Sequence, residues 1–290
     1  MCRRSSTAGR LRHGTFRESE APSSEDTRGS LPQGRFLTID TRQLFSVRSG
    51  EYAAARPHYP RELFQYLADL CPDTQRAWDC GTGSGQAAVG LAEEFAQVDA
   101  TDVSAQQIAN AVQHERVHYS VQPAEQTSFA FGSFSLVTVA QALHWFDFGR
   151  FWPEVHRVLR PGGIFAAWTY TLPILSEALD SIVAMRLLKV IKDYWAPQNR
   201  IAWDAYATIP FPFHELVPPQ ITMQVTWNLA QFTAYLGTWS ATRRCVEANG
   251  TAFFETFSSE LAAAWGDPSL PQVVRMEFFC KVGRQLAARA

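Results

Sequence analysis

One stretch, Ala77–Ala111 (AWDCGTGSGQAAVGLAEEFAQVDATDVSAQQIANA), constrains the fold of this 290-residue chain more than any other. Trp78 to Cys80 reads as the end of a short apolar strand. Gly81, Gly83 and Gly85 then make a turn that leaves no room for side chains. Ala87, Ala88, Leu91, Ala92 and Phe95 recur at helical spacing. A second strand climbs to Asp102, and Ser104 with Gln107 predicts a capping box for the next helix. Strand, turn, helix and strand in that order make one βαβ unit, with a crevice at the carboxyl ends of its strands.

Two details narrow the ligand. The glycines are spaced G-x-G-x-G, whereas the dinucleotide fingerprint is G-x-G-x-x-G, and Gln86 stands where its last Gly would be. Asp79 also precedes the first Gly. A carboxylate there would repel a pyrophosphate held on the helix N-terminus. It would attract a ligand carrying a sulfonium and an ammonium group, while Asp102 can accept both hydroxyls of a ribose. The glycines alone would be compatible with a turn used only for tight packing. With Asp79 and Asp102 beside them, the stretch resembles motif I and the following acidic motif of class I S-adenosylmethionine (SAM) methyltransferases of the methyltransferase type 11 kind.

Further segments carry the same resemblance. Tyr52, Arg56, Pro57, Tyr59 and Pro60 form Y-x-x-x-R-P-x-Y-P, and Pro60 is predicted to open a helix with Leu63, Phe64, Leu67 and Leu70 on its apolar face. Gln141 to Asp147, in the pattern Q-A-x-H-W-F-D, leaves the end of a fourth strand, Leu136–Ala140. Both runs are similar to those of a subgroup that includes trans-aconitate methyltransferase-like proteins, in which the N-terminal segment covers the cofactor. The resemblance implies SAM as cofactor, with Asp79 near the methionine ammonium and Gly81, Thr82 and Gly83 leaving room for it. It further implies Asp102 on the ribose, Ala124 and Glu125 by the adenine, and Gln141 near the methionyl part. Tyr52, Arg56, Trp145 and Tyr170 are the expected substrate-binding residues. His144 is the candidate catalytic residue, against its alternative as a packed structural histidine; Asp147 is expected to cap a helix.

The rest of the chain fits one architecture. Val117–Val121 is a third strand, and Ile164–Trp168, after the helix stop Pro161-Gly162-Gly163, is a fifth. Residues 171–219 read as a helical, aromatic-rich insertion forming part of a substrate cover. Ile221–Leu229 is expected as a sixth strand and Val273–Val282 as a final antiparallel one. The predicted fold is α/β: a doubly wound, seven-stranded, mostly parallel sheet of the Rossmann-like methyltransferase type. Residues 45–290 are expected to form this domain. Residues 1–44 are expected to be a poorly ordered extension, rich in Ser, Arg, Gly and Pro. Its first 17 residues hold five Arg and no acid, faintly like a transit peptide, but four acids follow by residue 26, and a solvated extension is the preferred reading.

Composition removes several function classes. The net charge is −2, and residues 51–290 alone carry −6, so a basic nucleic-acid-binding face is not expected. No apolar run has the length of a transmembrane helix. Five scattered cysteines without a CxxC pair suit free thiols in a reducing, cytoplasmic setting, and no metal motif is present. Strand four ends in A-Q-A-L, without the Asn/Asp-Pro-Pro-aromatic motif of adenine or glutamine methylation and without a Pro-Cys nucleophile. A small-molecule acceptor is therefore expected, O-methylated on a carboxylate or hydroxyl. Arg56 would hold a carboxylate; His144 would take the proton of a hydroxyl or carbon acid. The oligomeric state stays open, with a monomer preferred. A catalytically silent SAM-binding scaffold and, less favoured, a nicotinamide-dependent oxidoreductase are the alternatives.

Overall fold

The computed structural model describes residues 56–286. Tyr52 and the N-terminal extension lie outside the described residues. Helix α1 (Arg61–Leu70) leads into strand β1 (Arg76–Cys80). Leu63, Phe64 and Leu67 are buried as their spacing requires. Pro60 is the residue just before the first turn, in an extended conformation (φ −60°, ψ 138°), not its first residue. Next come α2 (Gln86–Ala92), β2 (Gln97–Asp102), α3 (Ala105–Ala109) and β3 (Val117–Val121). Strand β4 (Phe134–Ala140) is followed by a single 3-10 turn at Leu143–Trp145 and helix α4 (Phe148–Val158). The Asp147 carboxylate caps α4 by accepting the Gly149 N–H at 3.0 Å. Strand β5 (Leu159–Tyr170) completes the parallel part.

The chain then leaves the sheet. Helix α5 (Glu177–Ile182) continues through a π-helical turn, Val183–Leu188, into α6 (Lys189–Ile191), and α7 (Asn199–Trp203) follows. Strand β6 (His214–Leu216) is short. After it come β7 (Met223–Trp227), helices α8 (Leu229–Gly237), α9 (Ser240–Asn249) and α10 (Ala252–Trp265), and strands β8 (Gln272–Met276) and β9 (Phe278–Arg284).

Seven strands form the main sheet in the order β3-β2-β1-β4-β5-β9-β6. The pairings among β1 to β5 are parallel, and β9 runs antiparallel to both β5 and β6. The seven-stranded, mostly parallel sheet expected from the sequence is therefore present, but its last strands differ from expectation. Residues 221–229 do not enter it: β7 pairs with β8 in a separate two-stranded sheet. His214–Leu216 takes the edge place instead. The expected final strand is two strands that part at Glu277, one in each sheet. Alternating apolar and polar residues fix which face of a strand is buried but not which partner it pairs with, so either sheet satisfied the pattern.

Apolar side chains cover both faces of the main sheet, as a parallel sheet requires. Leu63, Phe64, Leu91, Ile164 and Trp168 pack on one face. Trp78, Val137, Phe151, Val155 and Phe165 pack on the other. A third cluster joins Leu187 and Val183 to Phe232, Trp239, Phe257 and Val274, so the helical layer begun after β5 runs on through residues 223–276. Among the described residues no helix is long and apolar enough to cross a membrane.

Candidate cofactor and acceptor site

The strand order turns back at β1, which has β2 on one side and β4 on the other. Ligands of such sheets sit at the carboxyl ends of the strands flanking that point. There β1 runs into the glycine turn and β4 into Gln141. Gly81 has φ +69°, and a Cβ on it would lie 2.9 Å from the Ala142 Cβ. Gly85 has φ +89°, and its Cβ would lie 2.2 Å from the Tyr119 hydroxyl. The Thr82 N–H donates to the Thr101 carbonyl at 2.9 Å, which pins the turn against the end of β2.

Asp102 ends β2 and faces the cavity above the turn. One carboxylate oxygen accepts the Gly83 N–H at 2.9 Å and the other the Ser104 N–H at 2.8 Å. The Ser104 hydroxyl accepts the Gln107 N–H, which is one half of the expected capping box. The other half is missing because Asp102 has taken the Ser104 N–H. The side-chain oxygen of Gln107 is thereby left buried without a partner, on a residue that lines the cavity. Gln86, in the place of a third fingerprint glycine, likewise lines the cavity with a buried, unpartnered Nε2. Neither glutamine was singled out from the sequence as a ligand contact. The signal for Gln86 was its departure from the dinucleotide spacing.

Asp79 is wholly buried and lies one layer behind the cavity wall. Its carboxylate accepts the Thr82 hydroxyl at 2.6 Å and the Thr138 hydroxyl at 2.9 Å. Burial pushes its pKa up to about 6, and the negative charge of nearby Asp102 adds to this, against the hydrogen bonds from Thr82, Thr138 and the Ala88 backbone. Burial also raises Asp102, against the backbone N–H groups of Ser104, Gly83 and Val103. This end of the sheet therefore holds two carboxylates that favour an approaching positive charge.

The other expected residues fall as follows. Gly81, Thr82 and Gly83 form the cavity floor together with Asp102. Ala124 and Glu125 line the same cavity, and the Glu125 carboxylate accepts the Asp147 N–H at 3.1 Å. Gln141 lines it in a left-handed backbone conformation, φ +56°, which is strained for a residue with a side chain. The Gln141 side-chain oxygen accepts the Thr169 hydroxyl at 2.9 Å. Arg56, Trp145 and Tyr170 line this cavity and also a second one behind it. Arg56 Nη1 donates to the Tyr170 hydroxyl at 3.1 Å, and the guanidinium lies 5.6 Å from the Tyr235 ring centroid. His144 faces the second cavity only; it is 6% exposed, and burial lowers its pKa to about 3.

The features of this site fit SAM: an open glycine floor, an acid at the end of β2, buried carboxylates for a cationic ligand, and amide groups awaiting partners. Comparison with known proteins agrees. Residues 78–167 match the Methyltransferase domain family. A methyltransferase of Dictyostelium discoideum is 31% identical over 237 residues, covering 79% of this chain and 90% of the relative. A solved structure described as a type II methyltransferase from Anaeromyxobacter dehalogenans is 41% identical, with a TM-score of 0.73, covering 80% of this chain and 99% of that one. A malonyl-[acyl-carrier protein] O-methyltransferase of Enterobacter lignolyticus is 32% identical over 144 residues, covering 45% of this chain and 57% of the relative. On its sheet, its glycine turn and these relatives, the chain belongs to the class I SAM-dependent methyltransferases.

Proposed function

We propose that the chain methylates an oxygen of a small-molecule carboxylate. The observation that carries this is the position of Arg56, whose guanidinium sits on the wall common to the two cavities and donates to Tyr170. A guanidinium there offers paired N–H groups to a carboxylate at the place where acceptor and methyl donor would meet. SAM supplies, when bound, a methyl carbon already activated by its sulfonium. The residues of the chain have to bind, align and exclude water. Asp102 takes the ribose; Ala124 and Glu125 border the adenine. Gln141, held by Thr169, lies by the methionyl part. Asp79 acts through Thr82 and through its charge, since it does not reach the cavity surface. Trp145 and Tyr170 shield the junction.

The step balances without a base. A carboxylate oxygen forms the C–O bond as the carbon's bond to sulfur breaks, and the electron pair stays on sulfur. No proton has to leave. A hydroxyl acceptor would have to lose one, and His144, held near pKa 3 by burial, is a weak base for that task. The name of the Enterobacter relative, an O-methyltransferase, supports oxygen as the acceptor atom. The absence of a basic surplus, with a net charge of −2, supports a small molecule over a nucleic acid.

The test is to incubate the protein with SAM and matched panels of acids, alcohols and amines, and to identify methylated products by mass spectrometry. Methyl esters are expected. Arg56→Ala should raise KM for the acid by about 10- to 100-fold, the loss of a charge-assisted pair. Methylation confined to amines or carbon acids, or an Arg56→Ala enzyme with unchanged KM, refutes the proposal.

A further inference from the structure

The second cavity contains side chains that the methyl-transfer reading leaves without a task. Beyond Trp145 and Tyr170 it is lined by Trp195, Trp203, Tyr235 and Trp239. Trp195 meets Trp203 edge-on at 5.4 Å between ring centroids and lies tilted against Trp239 at 5.8 Å. The volume is about 110 Å³. An apolar cavity of about 150 Å³ admits a benzene ring, so this somewhat smaller chamber has space for no more than one ring.

Polar side chains share this lining, among them Gln141, Thr169 and Ser240, and two of its polar residues carry atoms that bear on what it binds. Nδ1 of His144 and Oδ1 of Asn199 are both buried without a hydrogen-bond partner, and both residues line the chamber. Helix α7, which begins at Asn199, packs on the turn that carries His144. A buried polar atom left unsatisfied costs about 1–3 kcal/mol, and few survive in native structures without a reason. The amide oxygen of Asn199 can only accept. The imidazole is neutral, since burial lowers its pKa to about 3, and so has one N–H and one lone pair. A hydroxyl satisfies both residues: it donates to Asn199 and turns a lone pair to an N–H, or is shared with the imidazole. A second carboxylate has no proton to donate. An ammonium would find no acid, since no Asp or Glu lines this chamber.

We infer that the chamber is a subsite for a hydroxylated ring, so that the acceptor is a small hydroxyaromatic acid. Its carboxylate lies at Arg56, its ring between the tryptophans, and its hydroxyl on Asn199 and His144. This rests on the carboxylate reading for one end of the molecule and on Asn199 and His144 for the other.

The two ends can be tested apart. The full chain, saturated with S-adenosylhomocysteine, is titrated by ligand-observed NMR with 3-hydroxybenzoate, 4-hydroxybenzoate, benzoate and phenol. One hydroxybenzoate should bind at least about tenfold more tightly than benzoate, because a site built for a hydroxyl discriminates against its absence. In Asn199→Leu the ratio should fall to about one; in Asn199→Asp, which keeps the accepting oxygen, it should persist. S-adenosylhomocysteine affinity reports whether each variant is folded. Equal binding of benzoate and both hydroxybenzoates, or a preference that survives Asn199→Leu, overturns the hydroxyl subsite and leaves the carboxylate reading standing. Phenol bound in an Asn199-dependent way, with all three acids excluded, overturns the carboxylate reading and the assignment of an acid while keeping the hydroxyl contact. No binding of any probe overturns both.

Discussion

Asp79→Asn gives the sharpest test of how the glycine turn works. The carboxyl is fully buried and its pKa is pushed up to about 6, whereas in the unfolded chain it is about 3.9. An acid whose folded pKa is raised contributes stability that is complete below the unfolded value and is lost as pH rises through the folded one. The shift of about two units corresponds to about 3 kcal/mol in all, of which about 2 kcal/mol is lost between about pH 4.5 and about pH 8. Asparagine cannot ionise, so ligand-free Asp79→Asn should lack this loss. The stability difference between wild type and variant, from urea denaturation at both pH values, should move by about 2 kcal/mol in favour of the variant at the higher pH. SAM should reverse the preference. Its positive charge favours the ionised carboxylate, so wild-type affinity should weaken about tenfold from pH 7 to pH 5, with proton release on binding near pH 6. Calorimetry in buffers of different ionisation heat measures that release. If wild type and variant respond to pH in parallel, both in stability and in affinity, Asp79 does not titrate as its burial requires and the reasoning fails.

Two further substitutions test the frame of the site. Gly85→Ala places a Cβ 2.2 Å from the Tyr119 hydroxyl at φ +89°, and Tyr119 is itself held by its bond to the Val112 carbonyl. It should cost about 2–4 kcal/mol by denaturation, from backbone strain and overpacking together; a loss under about 1 kcal/mol would show that the turn is not tight there. Glu154→Gln opens the lock at Thr127, where Glu154 accepts the Thr127 N–H at 2.7 Å and bonds to Arg157 through both oxygens at 2.7 and 2.8 Å. The Arg157 and Thr127 hydrogen bonds hold the Glu154 pKa down against its burial, so its contribution is present above the unfolded value and lost as pH falls through the folded one. The variant should be about 2 kcal/mol less stable at pH 7, with the deficit shrinking in acid; equal stability at pH 7 refutes it.

Where the sequence was legible, the determinants were local. Strand β3 occupies the predicted Val117–Val121, and Ala87, Ala88, Leu91 and Phe95 are all buried behind the turn. Each depends on spacing within one element, which periodicity reports directly. Asp147 capping α4 is local in the same sense. The strand pairings late in the chain were legible only in part: an antiparallel last strand does complete the main sheet as β9, but β7 finds β8 across three helices in a separate sheet. No periodicity within 221–229 distinguishes the main sheet from the small one. The capping box shows a subtler failure. Ser104 and Gln107 had the right residues at the right spacing, but Asp102, two residues upstream, competed for the Ser104 N–H at 2.8 Å and won.

That competition bears on function. With its reciprocal bond in place, Gln107 would turn its oxygen to the Ser104 backbone; without it, the oxygen lies on a residue that lines the cavity, beside an Asp102 whose two oxygens already hold the turn. The cavity is lined by residues that depart from their local pattern: Gln107 lacks its reciprocal cap, Gln86 stands at a fingerprint glycine's place, and Gln141 holds a left-handed backbone at φ +56°. The acceptor side carries the same logic over longer range. Arg56 comes from the segment before α1, Tyr170 from the end of β5 and Tyr235 from α8, and only the packing of the helical layer makes them neighbours. A sequence motif can name Arg56, but its role is set by the hydroxyl and the ring that meet it. Changes in the residues of 223–276 that support Tyr235 should therefore alter acceptor binding while leaving SAM binding at the glycine turn as before, since no residue of 223–276 lines that cavity.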